Sequence, residues 1–140
     1  MSKGRFEKVK NSERCLHGPR KLLLTGFAAN DQPRFKSLMQ SLGFSDLALI
    51  WAAEAQSETL IDELVQLSDG SGIGQSSSLP RAVIVGGISE KELRSLIAGC
   101  RKAGLKQVLW ATLTPTSVTW RLRRLLAELA AEHAALSRQK

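Results

Sequence analysis

Two cysteines and two histidines bound the nucleophilic and metal chemistry open to this chain. Cys15 and His17 form a Cys-x-His pair near the start, Cys100 lies in an apolar helical stripe, and His133 falls near the end. Zinc ligands usually pair with two or more residues between them, a spacing that Cys15-x-His17 and the other two residues lack, so no metal is expected. No Ser-His-acid set, paired carboxylate or activated Cys-His pair stands out, so no catalytic residue and no cofactor is assigned. The acids gather at residues 54–63, as on a solvated helix face. Sites assemble in space, so the missing linear motif lowers the expectation of an enzyme without removing it.

Two other constellations could bind. Gly26 and Gly86-Gly87 each close a short apolar run, and Ser89 stands where a helix would begin. Free amides at a helix start attract anions, so a phosphate or carboxylate could dock there, close to the hydroxyls of Thr114 and Thr116 and to Trp120. The plainer account is that the glycines permit tight turns, the hydroxyls cap helices, and Trp120 is core. Neither run carries a full Gly-x-Gly-x-x-Gly pattern. Gly70-Ser71-Gly72-Ile73-Gly74 lacks the preceding strand and following Lys-Ser/Thr of a phosphate loop. The second constellation is basic: Arg121, Arg123 and Arg124 early in the last helix, with Arg101, Lys102 and Lys106 near the end of the preceding one. With the basic N-terminal residues they could face the phosphates of a nucleic acid, or simply form a solvated face paired with acids.

Charge is unevenly placed along the 140 residues. The net +7 divides into +5 over residues 1–21, −5 over 22–79 and +7 over 80–140. Halves of opposite sign are expected to attract one another. A hydrophobic fraction of 43% is enough for one core. No apolar run approaches a membrane span and the basic start lacks a signal-type apolar stretch, so a cytoplasmic protein with no membrane association is expected. Two cysteines give no disulfide framework.

The elements that must position these residues come in two similar sets. Residues 19–68 fall on 80–129 after a shift of 61, matching Gly26 with Gly87, Phe35 with Leu96, and Gly43 with Gly104. Such a period implies an internal repeat. In each copy a short apolar run reads as a strand (21–25 and 81–85), followed by an amphipathic helix stopped by Gly43 or Gly104. A second strand (47–51 and 107–113) and a second helix follow. Ser57 is the expected cap of the second helix, and Ser89 with Glu92 makes a capping box on the third. The last helix is expected from about Val118 to Leu136, long enough to pair with a second copy. Residues 1–18 read as a basic flexible tail, and 69–79 as a Gly/Ser linker between halves 19–68 and 80–137 of one domain.

Strand–helix–strand–helix, twice, predicts an α/β fold: a pseudo-duplicated βαβα–βαβα with a mainly parallel four-stranded sheet, order 2-1-3-4, and helices on both faces. A twofold along the strands would put the two crossover helices on opposite faces. It would also open one crevice between the first and third strands, beyond their carboxyl ends. Two βαβα lobes meeting through their helices are the alternative.

The run Leu109 to Ala134 carries Thr114-Pro115-Thr116, Trp120, a Leu-rich stretch from Leu122 to Leu129, and Glu132-His133. With the strand–helix–strand from Arg81 it resembles an uncharacterised bacterial family, domain of unknown function 3783, over about residues 81–136. The first half looks like a diverged copy, with Glu54-Ala55-Gln56 in place of Thr-Pro-Thr and Thr59 in place of Trp120. The resemblance implies an architecture and no activity. Three roles remain: an interaction or regulatory module, binding a protein partner or itself through the last helix; a nucleic-acid-associated protein; or a small-anion binder or enzyme at the switch point.

Overall fold

The computed structural model describes residues 14–105 and 107–138. Residues 1–13 of the expected tail and Lys106 lie outside the described residues. The elements are β1 (Lys21–Thr25), α1 (Gln32–Ser41), β2 (Ala48–Ala52), α2 (Ile61–Leu64), β3 (Ala82–Gly86), α3 (Glu90–Lys102), β4 (Leu109–Thr112) and α4 (Leu122–Arg138). Short 3-10 turns at Ala29–Asp31, Glu54–Gln56 and Ser117–Thr119 follow β1, β2 and β4. The fold is α/β, with one four-stranded sheet in the order β2-β1-β3-β4 and helices on both faces.

The sheet is mixed rather than mainly parallel. β1 pairs with β2, and β3 with β4, in parallel, but the central β1–β3 pair is antiparallel. Its register centres on Leu23 opposite Ile84, two positions 61 apart. The reason lies in the Gly/Ser segment. Asp69 accepts from the Leu49 amide at 2.8 Å, Gly70 N–H donates to Leu49 O at 2.9 Å, and Trp51 N–H donates to Ser71 O at 2.8 Å. The segment thus runs alongside β2 in the same direction. It delivers Pro80 to the carboxyl end of β1, where Thr25 Oγ1 donates to Pro80 O at 2.7 Å. β3 must therefore enter from that end and run back.

Reversal of the central pair also decides where the helices go. Right-handed crossovers in two antiparallel-related units fall on one face. Leu22, Leu24, Val83 and Val85 share a core with Phe35 and Met39 of α1 and Leu96 and Cys100 of α3. Leu23 and Ile84 share the other with α2 and with Leu122, Leu125 and Leu126 of α4. The two crossover helices therefore cover the same face, not opposite ones. Burying each of these large side chains contributes roughly 1.5–3 kcal/mol.

Two helices differ from expectation. α2 is a single turn entered from Leu60, and Ser57 is not its cap. α4 begins at Leu122, because Val118 belongs to the 3-10 turn and the chain is extended at Trp120. There the halves meet again: Ile61 N–H donates to Trp120 O, and Leu122 N–H to Thr59 O, both at 2.9 Å. Among the described residues no helix is long and apolar enough to cross a membrane.

Candidate functional site

Antiparallel β1 and β3 send their carboxyl ends to opposite ends of the sheet, so the single crevice expected between them does not form. Gly26 lies at one end. Gly86, Gly87, Ser89 and Thr114 lie at the other. At Gly26 (φ 77°) an added Cβ would sit 2.5 Å from Arg81 Cα, and at Gly87 (φ 72°) 2.5 Å from Arg20 N. These glycines are needed because the other half's backbone passes against them, which answers to tight packing rather than to a ligand.

The amides at both ends are filled by the chain itself. At the Gly87 end, Ser89 Oγ accepts from Glu92 N (3.0 Å) and Glu92 Oε1 accepts from Ser89 N (2.9 Å), the expected capping box. Arg20 then holds Glu92 through two bonds of 2.9 Å and Asp46 through one of 2.7 Å. Its guanidinium lowers the Glu92 pKa to about 2, with the Ser89 amide adding to the effect, and lowers that of Asp46 as well. Residues 14–18 lie along the same loop: Cys15 bridges to Ser89, and Leu16 N–H donates to Ile88 O at 2.7 Å. At the Gly26 end, Ser77 Oγ accepts from Gly26 N (3.0 Å) and Ser76 Oγ from Ala29 N (2.8 Å). The serines of the 69–79 segment therefore stand where an anion would.

Thr114 and Ser117 close on each other. Thr114 N donates to Ser117 Oγ at 3.0 Å, and Ser117 N to Thr114 Oγ1 at 2.9 Å. Thr116 is exposed and gives its carbonyl to Thr119 Oγ1. Trp120 follows in the same turn, its N–H donating to Ser117 O at 3.0 Å. It packs on the core beneath α4 and lines a cleft of about 660 Å³ with Arg121, Arg123 and Arg124. Arg124 lies 4.2 Å over the Trp120 ring, Arg121 donates to Glu58 O at 2.6 Å, and Arg123 pairs with the Glu58 carboxylate at 2.8 Å. Three cations near a helix start work against its dipole, and these contacts offset that cost. Arg101 and Lys102 end α3, which packs on the other face of the sheet, so they do not join this cluster.

A second cleft, of about 360 Å³, lies between α1 and the end of α3, lined by Phe27, Asp31, Arg34, Phe35 and Arg81 among others. Sequence reasoning missed it. Arg81 fell within the expected strand 81–85 and pointed to no cleft, but it reaches Asp31 at 3.6 Å and lies 4.8 Å over Phe27. The opposite signs of the two halves were the available signal, since Arg81–Asp31 and Arg123–Glu58 both join acidic to basic half. Cys100 is buried, which pushes its thiol up to about 11 and makes it a poor nucleophile. Among the described residues no group of three or more His, Cys, Asp or Glu could hold a metal ion.

The strand–helix–strand from Arg81, the reciprocal Thr114–Ser117 turn and the Trp120 entry into α4 form one continuous unit. Residues 81–136 match the family model of a domain of unknown function, DUF3783. The DUF3783 segment takes in β3, α3, β4 and α4 to Leu136, and with them Trp120 and its three arginines. It leaves out β1, α1, β2 and α2, as well as the segment that seals β2. No curated protein and no solved structure matches the chain.

Proposed function

We propose that this protein is a small cytoplasmic interaction module that works by binding a protein chain, its two halves being diverged copies of one βαβα unit. Among the described residues nothing pairs with the outer edge of β4, and that edge carries this reading. Leu109 and Leu113 donate to β3 (both 2.9 Å), so the amides and carbonyls of Trp110 and Thr112 face outward. The corresponding groups of β2, at Leu49 and Trp51, are taken by residues 69–71. All four residues of β4 are only half-buried, whereas four of the five in β2 are buried. Edge strands are ordinarily protected by charge, proline, a bulge or a covering loop. Residues 107–114 contain no charge and no proline. A bare apolar edge suits strand addition by a partner. Full-length protein carrying a tag and isolated at low salt should retain a second polypeptide that Thr112→Pro loses while remaining folded. Equal retention by both proteins would count against the edge.

The Trp120 cleft supports a second reading, nucleic-acid association. One aromatic ring beside three arginines offers stacking together with phosphate contacts. An oligonucleotide should bind less tightly as salt rises, and Trp120→Ala should weaken it further. Binding indifferent to both would remove this reading.

A further inference from the structure

We propose that the occupant of the β4 edge is a second copy of this chain, joined antiparallel about a twofold at Ala111 into one continuous eight-stranded sheet. The inference rests on the interaction-module reading and names its partner.

Three features favour self-pairing. The first is hydrogen bonding. Trp110 and Thr112 present outward donors and acceptors two residues apart. Antiparallel pairing centred on Ala111 sets Trp110 of each copy opposite Thr112 of the other, and four backbone hydrogen bonds close.

The second is the side chains in that register. Leu109, Ala111 and Leu113 belong to the core under α4, with Leu109 and Ala111 only partly buried. The twofold sets Leu109 against the other copy's Leu113, so that core runs on through the interface. No charged residue occurs at 107–114, so no like charges meet across the strands of a chain carrying +7.

The third is the helix above. α4 packs on β4, and a twofold normal to the sheet places the two α4 helices antiparallel. The basic start of one, at Arg121, Arg123 and Arg124, then lies toward Glu128 and Glu132 of the other. Among the described residues those two glutamates make no ion pair. Residues 130–136 are all exposed, Leu136 at 62%, and the second helix would cover part of them.

Light scattering of the full chain at about 100 μM, where even weak dimers are populated, should give twice the 15.3 kDa chain mass. Thr112→Pro removes an outward N–H and leaves the bonds to β3 intact. It should raise the dissociation constant at least about tenfold, with helical circular dichroism retained. Cross-linking keeps the test decisive should that variant misfold. In a Cys15→Ser background, Ala111→Cys should form a symmetric disulfide under oxidised glutathione, because directly opposed non-hydrogen-bonded positions lie about 4.5 Å apart at Cα. Thr112→Cys, opposite Trp110, should not. A wild type of single-chain mass overturns the dimer, and cross-linking by Thr112→Cys in place of Ala111→Cys overturns the register. If the chain stays single but still retains a different polypeptide in a Thr112-dependent way, only the second copy is lost. If neither is seen, the module reading falls with it.

Discussion

Arg20 and Arg81, 61 positions apart, stand at opposite ends of the β1–β3 pair and do unequal work. Arg20 grips Glu92 through two bonds of 2.9 Å and Asp46 through a third of 2.7 Å. Arg81 reaches Asp31 at only 3.6 Å, touches Gly26 O at 3.4 Å and rests over Phe27. The differences come from three positions. Asp31 stands where Glu92 stands and is one methylene shorter. Gln107 replaces the charge of Asp46. Phe27 takes the place of Ile88 and gives the guanidinium a ring to lie on. One end is an ionic clamp; the other is a looser contact bordering a cleft. Similar backbone positions thus close or open according to side-chain reach.

The largest effect should come from what the two ends share. Gly26→Val and Gly87→Val each force a Cβ into the opposing backbone at a positive φ, and each should cost about 3 kcal/mol or more in urea unfolding. If one were tolerated, the close approach would hold at one end only. The clamps come next. Arg20→Ala removes three charge-assisted bonds at a partly exposed site and should cost about 1–2 kcal/mol, against about 0.5–1 kcal/mol for Arg81→Ala. Equal losses would erase the distinction.

The smallest difference is one of pH. Glu92 is held at about 2, below its ordinary 4.5, so its contribution is complete above about pH 4.5 and is lost as pH falls toward 2. Glu92→Gln can still cap α3 but cannot pair ionically. Its unfolding midpoint should lose part of the acid slope between pH 5 and about 2.5 that the wild type shows. Identical slopes would mean that the clamp adds nothing in solution.

Much of the architecture was legible because spacing carries it. The strand order follows from two short crossovers and a 61-residue offset, and the Ser89–Glu92 box follows from local chemistry. Strand direction was not legible. Two similar halves can be related by an axis along the strands or by one normal to the sheet, and the offset is the same for both. The deciding residues were Asp69, Ser76 and Ser77, in a stretch whose composition reads as slack. Their hydrogen-bonding groups make it a fixed strap, and tertiary partners of that kind leave no periodicity to read. The same reversal scattered the proposed anion site. It put Gly26 and Gly87 at opposite ends, while Trp120 came to line a cleft with Arg121, Arg123 and Arg124.

The strap on β2 also settles how far any edge-to-edge assembly can extend. A sheet open on both sides can add molecules head to tail without limit, the route to fibres. Here residues 69–71 occupy one side, and Gly72 lies so close to Trp51 O that a Cβ would not fit between them. Growth from β4 therefore meets a sealed flank on the incoming molecule's far side and stops after one addition. For the proposed pairing at β4 the flexible-looking stretch would act as a chain terminator, and loosening it should turn that closed pair into an open-ended assembly.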